Sequence, residues 1–417
     1  MTRSRAALFL AFAAVWTVAA WLLWRSSLPA YHLPHLDEHA LFPGLVLHQA
    51  RHYSGVVRLF WLGQTVTQLV VLGLFARYGV RWMRESAAGP VGTGMLLGMI
   101  GFALVWAAEL PFSVLEVWWR HRYGLDGSYV QATVGDWLAL GVRFLLLCVA
   151  LAIVMGLARV RRIGDRWWLP AAPVFVGLTA LLAFVSPWLL GGRPFHAAYV
   201  SKLERIEHVH VSVRVIGGFS EPNAFATGLG PSRRVFLWQP ITEGPFTPRL
   251  DRFVVAHELG HLAHDHIWKS IGWYALFAFP LAFLLSLAAR RRGGMGVPEA
   301  VPLVVLVYVV LQLAVLPLRN VVSRHMEAEA DWAALRATHD PAAGRDLFRL
   351  FAGQVNEDPN PPWWDYVFLE NHPTLLQRIE MAAYYRRYAR TRRRRVGPAG
   401  RAPSAQPAAL AAPAQSP

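Results

Sequence analysis

The chain has 417 residues, enough for two or three soluble domains, yet 55% of them are hydrophobic, 18 are tryptophan and only 16% are charged. That composition excludes an ordinary water-soluble globular protein and gives much of the surface to lipid. The formal net charge of +15 is almost entirely arginine, because Lys202 and Lys269 are the only lysines, and the single cysteine, Cys148, excludes an intrachain disulfide.

Seven apolar runs reach the length that crosses a bilayer, at residues 6–24, 59–76, 94–116, 137–157, 169–192, 267–288 and 301–318. Arg3 and Arg5 before the first run also suit a signal peptide, but 19 apolar residues exceed a usual signal core, so the run counts as a span. The expected fold class is a mainly α polytopic membrane protein of about seven transmembrane helices, with a small α+β peptidase domain assembled from two segments. Residues 1–192 hold spans one to five, and 193–266 form the first polar segment. Spans six and seven occupy 267–318, the second polar segment 319–390, and a basic Pro/Ala-rich tail, expected to be disordered, 391–417. Neither polar segment alone makes a comfortable core, so the two are expected to combine.

In chain order, HLPHLDEHALF (32–42), with His48 and His52 beyond it, is dense in histidine but fits no clean metal-ligand spacing. Glu109, Glu116, Asp136 and Arg143 fall inside spans and are expected to face a polar interior rather than lipid. HVHVSVRVI (208–216) alternates strictly and predicts a half-buried strand with Val209, Val211, Val213 and Val215 on one face; GGFSEPN is turn chemistry, and RRVFLW (233–238) predicts another strand. From Arg252 the pattern turns helical and reaches VVAHELGHLAHDH (254–266), which runs directly into the sixth span.

His257 and His261 stand at i and i+4, so a helix puts both imidazoles on one face, where each can ligate one Zn²⁺. Glu258, next to the first ligand, reaches a water at the metal without binding the ion, the role of a general base. Two ligands do not make a site. SRHMEAEAD supplies a third in Glu327, with Asp331 one turn on to accept the ring N–H of a ligating histidine. The alternative is a surface helix carrying Glu327, Glu329 and Asp331 as solvated charges; Glu329, which is not a ligand on either reading, is expected to be replaceable by alanine with zinc and activity retained. His264 and His266 lie one turn past the motif; His264 is expected to make a polar contact at the membrane border, with facing the metal as the alternative.

These motifs, with HPTLLQR (372–378) and LPFSVLEVWWRHRYGLD (110–126), make the chain resemble the CAAX prenyl protease 1 family. That family comprises seven-span membrane zinc endopeptidases related to bacterial heat-shock membrane proteases. The resemblance covers about residues 100–390. It implies Glu327, not Glu329, as third zinc ligand; Asn223 of PNAFATG holding a substrate backbone group; His372 stabilising the oxyanion; and Arg378 as a substrate-contacting or structural partner. It further implies one Zn²⁺ per chain, peptide or membrane-protein substrates, and a chamber enclosed by the spans. A seven-span transporter or channel with a structural zinc site is the alternative, weakened because structural zinc sites are usually closed by four protein ligands and three are visible. No nucleic-acid-binding fold accompanies the arginine tail, so no nucleic-acid partner is expected. The Arg-dominated composition suggests a bacterial membrane protein. The arginine loops near 77–84, 159–166 and 290–292 lie opposite the peptidase segments and argue for catalysis outside the cytoplasm; the resemblance and the Arg-rich tail argue for the cytoplasmic side, which is the expectation adopted.

Overall fold

The computed structural model describes residues 3–82, 88–125 and 129–395. Helices dominate. α1 (Arg3–Trp24), the short α2 (Glu38–Leu41), α3 (Gly44–Tyr78), α4 (Gly89–Arg122), α5 (Tyr129–Arg159) and α6 (Trp168–Leu190) precede the first polar segment. This segment holds β1 (Arg193–Pro194), α7 (Ala198–Glu207), β2 (Ser212–Ile216), β3 (Ala224–Thr227), β4 (Arg234–Trp238), α8 (Gln239–Glu243) and α9 (Pro248–Ala263). Then come α10 (His266–Arg290), α11 (Val301–Thr338), α12 (Pro341–Gln354), α13 (Trp363–Phe368) and α14 (Leu375–Arg395).

Among the described residues, six helices are long and apolar enough to cross a membrane, spanning Gly44–Arg81, Gly89–Arg122, Thr133–Arg159, Gly164–Leu190, His266–Arg290 and Pro298–Thr338. They contain the second to seventh expected runs, except that the fifth, 169–192, ends two residues beyond its helix. The first run, 6–24, lies in α1. α1 packs on α10, where the Trp16 indole N–H donates to the Leu276 carbonyl at 3.1 Å and Leu23 fills the notch left by Gly272. The tail beyond residue 395 lies outside the described residues; up to that point α14 continues as helix.

The four strands form one sheet in the order β1-β2-β4-β3, with β2 and β4 parallel and the other pairs antiparallel. β3 is therefore an edge strand. The strand expected over 208–216 starts only at Ser212. Its first residues are taken by the end of α7, where His208 adopts a left-handed backbone (φ 54°) and the Val209 N–H closes back on the Glu204 carbonyl. Val209, Val213 and Val215 are nevertheless buried. One hydrophobic cluster draws on both polar segments, joining Val215, Leu237 and Leu259 to Trp332, Phe348 and Ile379.

α11 is the long spine. Its 38 residues run unbroken from the membrane-spanning region into the peptidase part, a length of about 57 Å. α9 crosses it closely because Gly260 meets small residues: a Cβ at position 260 would stand 3.0 Å from the Ala333 Cβ and 3.4 Å from the Ala330 Cα. That close approach sets two histidines of α9 against a carboxylate of α11.

Candidate metal and peptidase site

α9 is preceded by Thr247 and starts with Pro248, and it is buried on nearly every face, so its polar side chains must find partners inside the protein. His257 and His261 point to the same side. His257 Nε2 lies 3.1 Å from His261 Nε2 and 3.1 Å from Glu327 Oε2, and His261 Nε2 lies 3.5 Å from Glu327 Oε1. One ligand atom from each of the three falls within 4.8 Å of the others, the arrangement of a metal centre. Among the described residues, the histidines of 32–52 join no such group.

Behind His257, Asp331 Oδ1 sits 2.9 Å from Nδ1, so the ring keeps its proton on Nδ1 and turns Nε2 towards the cluster. Burial favours a neutral ring, but hydrogen bonds and charge from Asp331 and Glu327 outweigh it and push the metal-free His257 up to about 10. The surrounding carboxylates thus favour positive charge at this point. Arg378 clamps Asp331 from the far side, its Nε and Nη2 each 2.8 Å from the carboxylate, with the guanidinium over the Phe348 ring at 4.1 Å. Of the two roles expected for Arg378, structural or substrate-contacting, these bonds support the structural one: the carboxylate that orients His257 takes up its hydrogen-bonding edge.

Glu258 is 6% exposed and faces β3, where the Ala226 backbone hydrogen-bonds to it. Burial raises its proton affinity, against the opposing pull of His257 and His261. His372 reaches the cluster from the loop before α14, its Nε2 3.3 Å from Glu327 Oε2 and its Nδ1 2.6 Å from Asn371 Oδ1, and its side chain stays 45% exposed. Asn223, exposed at the start of β3, borders the same cleft.

That cleft has a volume of about 780 Å³. One end is lined by Asn223–Ala226, His257, Glu258 and Glu327; from there its wall descends between α10 and α11 past Trp273, Phe277, Leu284 and Leu311. Glu109, Asp136 and Arg143 gather around a second, polar cavity of about 260 Å³ with Gln64, Thr65 and Gln68, as expected of charges inside spans.

Glu329 was hidden from the sequence reading. It is 1% exposed rather than solvated, and its carboxylate meets His266 Nε2 at 3.0 Å and Lys269 Nζ at 3.2 Å, with His264 Nδ1 3.5 Å away. The local signal that pointed to it was the abnormal density of histidine after HELGH.

Residues 199–386 match the model of Peptidase family M48. The chain is 24% identical over 369 residues to an uncharacterised metalloprotease, YhfN, of Bacillus subtilis (strain 168), covering 80% of this chain and 84% of that relative. It shares the fold of the crystal structure of S. mikatae Ste24p with a TM-score of 0.69 at 17% identity, covering 89% of this chain and 97% of that one. The family match lies over the residues that build the metal cluster and the fold match extends through the helices that carry it, so the chain is an integral multi-pass membrane metalloprotease whose residues 199–386 are similar to Peptidase family M48 and whose fold is similar to that of Ste24p.

Proposed function

We propose that the chain is a zinc endopeptidase that cuts membrane-associated peptides or proteins, with His257, His261 and Glu327 holding the ion and Glu258 acting as base. The carrying observation is the cluster itself: zinc with ligands at 2.0–2.1 Å in a tetrahedron has edges of about 3.3 Å, against 3.1, 3.1 and 3.5 Å here. Three protein donors leave the fourth position for water or substrate, which favours a catalytic over a structural ion.

When bound, zinc supplies a Lewis acid for the scissile carbonyl and a water made acidic enough to attack near neutral pH. The chain's own residues do the rest. Glu258 takes the proton of the attacking water and returns it to the leaving amine, a task suited to a buried carboxylate of raised proton affinity. β3 offers a free edge beside Glu258, so an extended substrate adds to the sheet there through main-chain hydrogen bonds, with Asn223 holding one further backbone group. His372, in the tautomer that carries its proton on Nε2, with Asn371 turning its amide N–H to Nδ1, donates to the oxygen on which negative charge develops. The site opens among helices that span the membrane, which supports substrates that arrive through or along the bilayer.

We place the protein in a bacterial cell membrane with its catalytic face in the cytoplasm, processing membrane proteins or removing damaged ones; the Arg-dominated composition and the arginines of α14 on the catalytic side support this reading. Cysteine labelling in loop 289–300 and in the tail tests the orientation. For the chemistry, Glu258→Gln keeps the shape of the side chain but accepts no proton, so zinc content should stay stoichiometric while turnover of a casein-type substrate collapses. Zinc loss in that variant would make Glu258 a ligand and overturn the assignment.

A further inference from the structure

The two ligating histidines are not supported alike. His257 rests on Asp331, but His261 turns Nδ1 to another imidazole, His266 Nδ1, at 2.9 Å, and His266 Nε2 in turn meets Glu329 Oε2 at 3.0 Å. His266 is 3% exposed and Glu329 1%. The chain reaches this arrangement by a sharp turn: α9 stops at Ala263, Asp265 takes a left-handed backbone (φ 54°), and the first residue of α10 is brought back onto the preceding helix. Asp is among the few non-glycine residues that accept that conformation readily.

Proton counting along this line has one solution for neutral rings. If His261 gives its Nε2 lone pair to the metal, its proton is on Nδ1 and donates to His266. His266 must then accept at Nδ1 and carry its own proton on Nε2, which donates to Glu329. Glu329 is fixed as an acceptor by Lys269 Nζ at 3.2 Å and by the Ser27 backbone N–H. Lys269 Nζ also donates to the Arg25 carbonyl at 3.1 Å, so the stretch that follows α1 closes the end of the line.

We infer that His266 and Glu329 are positioning residues for the metal, a two-membered relay that fixes the Nδ1–H tautomer and ring orientation of His261 as Asp331 does for His257. The inference rests on the reading of His257, His261 and Glu327 as ligands. It assigns a function to a carboxylate that lies two residues from Glu327 without touching the metal, and it makes the segment 25–27 part of the support of the site.

The test measures metal affinity by competition with a zinc chelator and the visible spectrum of the Co²⁺-substituted protein, on full-length protein in nanodiscs. Loss of an outer partner of a ligating histidine typically weakens metal binding 10–100-fold. His266→Phe and Glu329→Met should each fall in that range, with an altered Co²⁺ spectrum. Glu329→Gln keeps an acceptor oxygen for His266 and should restore affinity to within about threefold of the unaltered protein, a rescue that packing alone would not give to one isostere and deny to the other. Should Glu329→Met not fold, Glu329→Met with Lys269→Met leaves no unpaired charge and must show the same weakening. Wild-type affinity and spectrum in His266→Phe would overturn the relay, as would Glu329→Gln as weak as Glu329→Met. Failure of the ligand reading shows separately, as unaltered protein that binds no stoichiometric zinc.

Discussion

Replacing Arg378 by methionine separates a structural role from a substrate-binding one. Its guanidinium makes two 2.8 Å hydrogen bonds to Asp331, which is 1% exposed, and lies 4.1 Å above the Phe348 ring. Removing one member of a buried, hydrogen-bonded ion pair costs about 3–5 kcal/mol, because the other charge stays buried and alone. Methionine retains much of the stacking area, so a value near 4 kcal/mol is expected. For a cooperative unit of the size of the matched family region, 199–386, each kcal/mol moves the melting temperature by about 2–4 °C, which gives a fall of roughly 8–16 °C. The assay is thermal unfolding followed by tryptophan fluorescence in nanodiscs, paired with steady-state kinetics below the transition. Adding Asp331→Asn removes the stranded charge yet leaves an oxygen for His257, so the double variant should regain at least half of the loss. An unchanged melting temperature with a raised KM would refute the structural assignment and return Arg378 to the substrate.

His372→Ala should lower kcat by about 10²–10³ with zinc content unchanged, the usual cost of one oxyanion donor, whereas Asn223→Ala should mainly raise KM because strand pairing is made in the ground state too; zinc loss in either would redraw the metal shell. Gly260→Val should push α9 off α11, costing about 1–3 kcal/mol of stability and weakening zinc binding, with partial recovery on adding Ala333→Gly; an undisturbed metal affinity would mean that this crossing does not set the ligand spacing. Glu370 is pushed up to about 8 by burial and by neighbouring Glu357 and Asp365, and Glu357 up to about 7 by burial. Both are acids with folded pKa values above the unfolded ones, so their contribution is complete below about pH 4 and is lost as pH rises through 7 to 8. The melting temperature should therefore fall between pH 6 and pH 9, and Glu370→Gln should flatten that fall; a rise over the same interval would contradict the assignment.

Much of the site was legible because its signals are local. His257 and His261 are one helical turn apart, and S-R-x-x-E placed Glu327 on a helix leaving the last span, so periodicity and motif sufficed to bring forward the three residues that the fold gathers. What stayed hidden depends on partners distant in the chain. Glu329 looked like a solvated charge because Ser27, which helps to bury it, lies 302 residues away. Arg378 was placed in the right neighbourhood, but a motif does not say which face of α14 turns to the cleft. The missing half of the 208–216 strand has a similar cause: alternation persists through an irregular segment when alternate residues are buried, so Val209 satisfied the pattern without being paired.

The cleft descends along α11 from Glu327 to Leu311, sixteen residues and so about 24 Å, most of the roughly 30 Å thickness of a bilayer's hydrocarbon. An extended chain advances about 3.3 Å per residue, so some seven residues fit between its apolar floor and the base Glu258. Because both walls are helices that cross the membrane, the point of hydrolysis is held at a fixed height above that floor. On the proposed reading as a membrane endopeptidase, a segment whose greasy end is lodged at the bottom would be cut at a set distance from it, whatever side chains flank the bond. Fragment lengths, more than sequence motifs around the cut, would then carry the signature of this protease in a digest.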